Sequence, residues 1–292
     1  MPDKEIIVEK VKNCLITAAS TFSEDKKNIY RKAIERETVP AAKWVLETIL
    51  QNALIAEQNR SPLCDDTGIP HIFLEAGPNQ NVNGRLIDFI KEGVCEGLRE
   101  LPGRPMAING DDLQRIDQSG GLNTDPGALL PSPILMKTVK EDVIRLRILM
   151  HGGGPEIRAK TFRIFHKHKV SAVSDEIIDW AVEGAKLLGC SPITLAIGIG
   201  RSHFEAASLM LEAMVYGDHT IQNEIETEIT DRVNQSKTGP LGLGGQTTAL
   251  GTFLRIGPQR ASGVRIVSLR PCCCIEPRKA TVVLYGKENN LG

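Results

Sequence analysis

Apolar residues recur at helical spacing over residues 4–20, where Ile6, Ile7, Val11, Leu15 and Ile16 form one stripe, and this predicts a first helix. A charged helix is expected over 24–36. A third, over 40–58, opens at Pro40, which a first helical turn tolerates, and carries Ala41, Val45, Ile49, Leu54 and Ile55. The run His71-Ile72-Phe73-Leu74 reads as a strand, and residues 83–101 return to helix with Ile87, Ile90, Val94 and Leu98 on one face. Residues 134–139 and 142–150 predict two strands joined by a tight polar turn. A helix over 172–188 is expected to take Ser174 as its N-cap and Gly189 as its stop. A strand over 193–199, helices from about 204 to 215 and 221 to 233, and strands at 252–256, 264–269 and 280–285 complete the pattern.

Strands interleaved with helices predict the α/β class, with mixed β-sheets wrapped by α-helices. One domain is expected over 1–292, with lobes at about 1–130 and 131–292. Residues 102–133 are rich in Gly, Pro, Asn and Asp. A structureless loop of that length is unusual in a compact domain, so the segment is expected to carry function or to pack as irregular structure.

Composition narrows the function classes. With 35 basic and 36 acidic residues and 4% aromatics, the chain lacks the basic stripe and stacking surface that nucleic acids need. No apolar run reaches the ~18 residues of a membrane span. The opening Met1-Pro2-Asp3-Lys4-Glu5 has no apolar leader region, so a cytoplasmic location is the expectation. The seven cysteines are odd in number, which argues against a disulfide framework. Cys14 and Cys95 fall inside predicted helices and read as structural. Cys64, Cys190, Cys272, Cys273 and Cys274 sit beside turn-forming residues, where ligands are presented.

The stretch Ser61–Pro70 sets Cys64, Asp65, Asp66, Thr67 and Gly68 between two prolines. It reads either as a rigid loop presenting a thiolate ligand beside a catalytic carboxylate, or as a turn with one buried cysteine. His151-Gly152-Gly153-Gly154-Pro155-Glu156 follows a strand and either offers backbone N–H groups to an anion or is an ordinary glycine turn. Gly198-x-Gly200 lacks the third glycine of a dinucleotide fingerprint, since position 203 is His203. The run Gly239–Gly251 lacks the Gly-Lys-Ser/Thr ending of a phosphate loop. Close cysteine pairs typical of structural zinc are absent unless the consecutive Cys272, Cys273 and Cys274 are counted, and adjacent residues rarely both reach one metal. Thiols on three distant loops suit a cubane iron–sulfur cluster, and a cluster with three protein thiolates leaves an iron open for dehydratase chemistry.

Cys64-Asp65-Asp66-Thr67-Gly68 resembles the Cys-Gln-Asp-Thr-Gly motif of the class I fumarase and L-tartrate dehydratase family. The resemblance continues in order through Asn123-Thr124, Gly152-Gly153-Gly154, Cys190-Ser191-Pro192, Gly198-Ile199-Gly200, Gly239–Leu250 and Cys274-x-x-x-Arg278, and covers roughly residues 5–285. It implies the α-type, cluster-binding fold of that family, with a separate β-type subunit as partner and α chains that assemble as a homo-oligomer. It also implies a [4Fe–4S] cluster acting on a small hydroxy-carboxylic acid such as malate or tartrate. Residue by residue, it implies Cys64, Cys190 and Cys274 as ligands; Cys274 is taken because the family's last cysteine lies four residues before an arginine, here Arg278. Asp66 corresponds to the family's active-site aspartate, and Thr67 to a contact with substrate or cluster sulfur.

The resemblance also implies that Asp65, Gly153, Gly154 and Gln246 stand at substrate-facing positions. Asp65 replaces a glutamine, Gly121 falls where an arginine is frequent, and His151, Pro155 and Gln246 replace lysine, serine and lysine. Gln259 falls near a family histidine. Cations clamp carboxylates, so these departures imply a less anionic or larger hydroxy acid, with Arg115, Arg201, His203 and Arg260 as candidate replacements. A non-catalytic cluster-binding or redox-sensing subunit and a structural zinc protein are the competing expectations.

Overall fold

A computed structural model describes residues 4–286. In chain order the regular elements are α1 (Lys4–Ser20), α2 (Glu24–Arg36), α3 (Pro40–Asn59), β1 (Ile69–Ala76), α4 (Gly84–Glu100), α5 (Asp112–Asp117), β2 (Leu135–Thr138) and β3 (Ile144–His151). There follow α6 (Gly153–Arg158), β4 (Lys160–Phe165), α7 (Val170–Leu188), β5 (Ile193–Gly200), α8 (His203–Tyr216), α9 (Glu224–Asn234), β6 (Ala249–Ile256), β7 (Val264–Cys272) and β8 (Arg278–Tyr285). The fold is α/β with mixed sheets, as the pattern predicts. The chain forms two compact units, each discontinuous in sequence. The first takes the residues up to Thr21, Ala53–Gly152 and those from Arg278 on; the second takes Phe22–Asn52 and Gly153–Pro277. The lobe boundary expected near residue 130 falls inside the first unit.

The first unit is built on a four-stranded sheet of order β2-β1-β3-β8. β1 runs parallel to β2 and antiparallel to β3, with Phe73 opposite Leu135 on one side and Arg147 on the other. The predicted strands β2 and β3 are therefore neighbours in sequence but not in the sheet. β2 is short and largely exposed, which suits an edge, whereas β3 is almost wholly buried and lies between β1 and β8. Ile7, Val11 and Leu15 of α1 and Ile90, Val94 and Leu98 of α4 share one core with Ile72, Leu74, Leu146 and Ile148 of the sheet. Burying each such side chain contributes about 1.5–3 kcal/mol.

The segment 102–133 packs as ordered irregular structure. Asn109 and Asn123 donate backbone N–H bonds to Gly121 and Ala107 at 2.9 and 2.8 Å. Asp111 and Gln114 form a capping box on α5, and Arg99 holds Asp125 at 2.8 Å.

The second unit is built on the order β4-β7-β5-β6, with β7 antiparallel to β4 and β5, and β5 parallel to β6. Every residue of β5 is buried. The strand β4, absent from the sequence expectation, is a mostly exposed edge. α8 lies so close on β5 that a Cβ at Gly198 would stand 2.1 Å from the Ala206 carbonyl oxygen and 2.3 Å from the Met210 nitrogen. The Gly198-x-Gly200 pattern is thus a packing requirement and not a nucleotide fingerprint. α7 starts earlier than expected: Lys169 holds the N-cap position, and Ser174 is buried inside the helix, its hydroxyl 3.3 Å from the Ser171 carbonyl. Among the described residues, no helix is long and apolar enough to cross a membrane.

Within this unit, α2 is fixed to β5 through a buried relay. Asp25 Oδ2 accepts from the His219 backbone N–H at 3.0 Å and lies 2.8 Å from His219 Nδ1, while His219 Nε2 stands 3.1 Å from Thr194 Oγ1. Burial pushes the Asp25 carboxyl up, but the hydrogen bonds from His219 outweigh it and hold the group below its ordinary value. A carboxyl depressed in the folded state contributes stability above its unfolded pKa, and that contribution is lost as pH falls through the folded value. Replacing Asp25 by Asn is therefore expected to lower the urea midpoint at neutral pH, with the gap to wild type shrinking below about pH 4. A gap that stays constant from neutral to acid pH would contradict the relay's charge.

Candidate active site

In the first unit the loop over residues 61–68 joins α3 to β1, and its conformation is over-determined. The Leu63 N–H donates to the Ala19 carbonyl at 3.0 Å, seating the loop on the end of α1. The buried Thr67 hydroxyl accepts from the Arg104 N–H at 2.7 Å and lies 3.2 Å from the Arg104 carbonyl, which ties the loop to the irregular segment. Gly68 has φ +84°, and a Cβ there would lie 2.4 Å from Arg278 Nη2 and 2.8 Å from the His151 oxygen, so only glycine fits. Arg278, 1% exposed, donates from Nη1 to the Asp66 and Thr67 carbonyls at 2.8 and 3.1 Å. Its Nε and Nη2 are buried and make no hydrogen bond among the described residues. Buried donors left over in this way are costly, and here they stand beside the loop that carries Cys64 and Asp66. Cys64 is half-buried, with its sulfur 3.6 Å from Asp65 Oδ1. Asp65 faces solvent and lies 3.7 Å from Arg104 Nη1.

In the second unit several chemistry-bearing segments gather. The Cys274 N–H donates to the Cys190 carbonyl at 2.8 Å, joining the turn after β7 to the segment before β5. Ser191 Oγ donates to the Gly239 carbonyl at 2.6 Å, and the Leu241 N–H donates to the Ser191 carbonyl at 3.1 Å, which brings the glycine-rich run alongside. Glu37, buried, accepts from the Gln246 N–H at 2.8 Å, and the Gln246 side-chain oxygen accepts from Lys237 Nζ at 2.5 Å. Gly153 and Gly154 open the short α6. A Cβ at Gly154 would meet only Leu188, at 3.9 Å, so the space beside the end of α7 is open.

The three consecutive cysteines differ in environment. Cys272 is fully buried, its sulfur directed at the Arg270 carbonyl at 3.9 Å, and burial pushes its thiol up. Cys273 and Cys274 are half-buried and share a side-chain hydrogen bond, which lowers Cys273 and raises Cys274. Cys190 is exposed; partial burial and the neighbouring Cys273 raise its thiol. Beneath the turn, Arg270 is fully buried and pairs with Glu276 at 3.1 Å and with Glu156. The Tyr30 hydroxyl donates to the Cys274 carbonyl at 2.7 Å, and Lys26 Nζ donates to the Glu276 carbonyl at 2.5 Å. Burial pulls the Lys26 ammonium down to about 8, against the influence of Cys273, Cys274, Cys272 and Glu276.

Of the residues expected from sequence, the first unit holds Cys64, Asp65, Asp66 and Thr67, and the second holds Gly153, Gly154, Cys190, Gln246 and Cys274. Sequence reasoning missed Lys26, Tyr30, Glu37, Glu156 and Arg270. One signal was available: Phe22, Lys26, Tyr30 and Ala33 share a helical stripe, so a lysine sits where the pattern calls for an apolar side chain. An open cavity of about 260 Å³ in the second unit, lined by His166, His168, Lys169 and Arg265, lies at the far end of β5 from Cys190 and holds no thiol. Among the described residues, no three His, Cys, Asp or Glu side chains are grouped as ligands of one metal ion. A cubane, whose irons are held by separate thiolates, does not need such convergence on one point.

A family model described as Fumarate hydratase (Fumerase) matches residues 8–283. A chain of Methanocaldococcus jannaschii, provisionally named L(+)-tartrate dehydratase subunit alpha, is 29% identical over 287 residues, covering 94% of this chain and 94% of that one. The L(+)-tartrate dehydratase subunit alpha of Escherichia coli K12 is 22% identical over 289 residues, covering 96% and 91%. A protein of Geobacillus stearothermophilus, provisionally named class I fumarate hydratase, is 26% identical over 262 residues, which take in 85% of this chain and 49% of that protein.

The burial pattern makes a prediction for thiol labelling. In the folded, metal-free chain, iodoacetamide is expected to modify Cys190 fastest and to spare Cys14 and Cys272, as read by peptide mass mapping. Labelling of Cys272 at the rate of Cys190 would contradict the assigned environments.

Proposed function

The chain belongs to the fumarate hydratase family, which makes it a hydro-lyase, and on that premise we propose that it is the cluster-binding α subunit of an iron–sulfur dehydratase. The observation that carries this reading is the family match over residues 8–283, together with three thiols in the family's order. The proposed ligands of a [4Fe–4S] cluster are Cys64, Cys190 and Cys274. The donor set fits such a group. Cys190 and Cys274 are accessible or half-buried thiols joined through their backbones, and a buried ammonium faces the turn that bears Cys274. Cys272, turned inward to the Arg270 carbonyl, is left out. When bound, a cluster with three protein thiolates supplies an open iron as Lewis acid toward a substrate hydroxyl.

The roles of the chain's own residues follow from how they are held. Arg278 grips the Asp66 carbonyl, fixing the backbone so that the Asp66 carboxyl is presented for proton handling at the substrate. Thr67 serves by holding the loop, because its hydroxyl is engaged with the Arg104 backbone. Asp65, Gly153, Gly154 and Gln246 are the proposed substrate contacts. Gly154 leaves space, and Gln246 presents an amide steadied by Lys237.

The substrate is a small hydroxy-carboxylic acid. The named relatives point to malate/fumarate or tartrate, and the acidic Asp65 and the lost cations favour a less anionic member of that class. The partner is a separate β-type subunit. This is supported by the word alpha in two relatives' names and by the greater length of the Geobacillus protein. Self-association of the α chains and a cytoplasmic setting, where thiols stay reduced, complete the proposal.

Anaerobic co-purification with the β-type protein and screening on a hydroxy-acid panel tests this reading. Reversible hydration of at least one acid is expected. Replacement of Cys64, Cys190 or Cys274 by Ser is expected to lower bound iron sharply. A cluster with no turnover on any acid would favour a redox-sensing subunit, and bound zinc without visible absorbance would overturn the cluster. If replacing Cys273 and not Cys274 removes the iron, the third ligand alone changes.

A further inference from the structure

Lys26 is a charged side chain in a place built for an apolar one. It lies on α2 with 1% of its surface exposed, on the same stripe as buried Phe22, Tyr30 and Ala33. Its ammonium donates to the Glu276 carbonyl at 2.5 Å and lies 4.5 Å from the centre of the Phe22 ring. Among the described residues it forms no salt bridge. The Glu276 carboxylate is occupied by Arg270, at 3.1 Å. A buried ammonium is strongly disfavoured unless negative charge compensates it. The groups that face it electrostatically are the three successive thiols Cys272, Cys273 and Cys274, together with Glu276. Neutral thiols give it little compensation; thiolates holding an iron–sulfur group would supply it.

The turn is also gripped mechanically from the same helix. The Glu276 N–H donates to the Cys273 carbonyl at 2.9 Å, so the carbonyl held by Lys26 belongs to the residue that closes the thiol turn. One turn along α2, Tyr30 holds the Cys274 carbonyl, and Asp25 anchors the start of the helix to His219. We propose that Lys26 is a positioning residue for the iron–sulfur group: its ammonium compensates the negative charge that thiolate ligation brings to the Cys273–Cys274 turn, and its bond to Glu276 fixes that turn. The inference rests on the ligand assignment proposed above.

The test compares wild type, Lys26→Met, Lys26→Arg and Cys190→Ser, each reconstituted anaerobically as the full chain with its β-type partner. Two quantities are read: iron retained per chain against a chelator, and the midpoint potential of the retained cluster. Methionine fills the same buried volume without charge, and circular dichroism checks folding. Lys26→Met is expected to hold iron ~10-fold less tightly, the loss typical when a group supporting a metal ligand is removed. Its potential should shift to more negative values, because one positive charge near the cluster is gone. Lys26→Arg should recover part of both. If Lys26→Met fails to fold, Lys26→Gln is read by the same two measurements with the same expectation. Iron retention and potential equal to wild type in the uncharged variant overturn the role of Lys26 alone. Failure of wild type to take up iron overturns the ligand assignment, and the role of Lys26 with it.

Discussion

Buried positive charge is the constraint on which the chemistry-bearing segments depend. Removing an ammonium or guanidinium from water costs several kcal/mol unless partners replace the lost solvation. Three such groups bear on the stretch from Arg270 to Arg278. Arg270 meets the cost with Glu276 and Glu156. Arg278 meets part of it with the Asp66 and Thr67 carbonyls, and Lys26 with the Glu276 carbonyl and the Phe22 ring. Apart from the Phe22 ring, each partner is a backbone or side-chain group of a segment that bears a candidate functional residue. Electrostatic compensation and site positioning are therefore the same set of bonds. In the first unit it locks the Cys64–Gly68 loop, and in the second it locks the turn around Cys274.

Much of the architecture was readable because it rests on local periodicity. The bounds of α1, α2 and α3 fall within a residue of those expected, α1 and α3 from their apolar stripes and α2 from its charged run. What local pattern does not encode is pairing. β1 enters the sheet between β2 and β3, an order that no local pattern carries. β4 was missed because an exposed edge strand carries a weak apolar signal, and Ser174 was misread because a serine near a helix start resembles a cap whether or not the helix begins there. Each unit is assembled from separated stretches of chain, and α3 runs from one into the other, an arrangement that local periodicity does not encode.

The candidate site was legible in its cysteines and less so in its support. Ordered motifs picked out Cys64, Cys190 and the last cysteine group, while the environments of Cys272, Cys273 and Cys274 separate only in three dimensions. Glycines that look alike in sequence divide by cause. Gly68 answers a positive φ against Arg278, Gly198 answers the approach of α8, and Gly154 simply leaves space. Thr67, for which the motif implies a contact with substrate or cluster sulfur, has its hydroxyl engaged with the Arg104 backbone. Glu37 and Arg270 are charged residues in ordinary charged or strand-like stretches, and only their burial reveals them, whereas Lys26 interrupts an apolar stripe that the sequence itself displays.

The central claim is a thiolate-held cluster with one iron open to substrate. Mössbauer spectroscopy of the anaerobically reconstituted, iron-57-labelled protein, with and without its hydroxy acid, addresses it most directly. An open iron predicts that one iron environment differs from the rest and that this one alone shifts when the acid is added. Equivalent irons that ignore the acid, or no iron–sulfur signal at all, would contradict the claim.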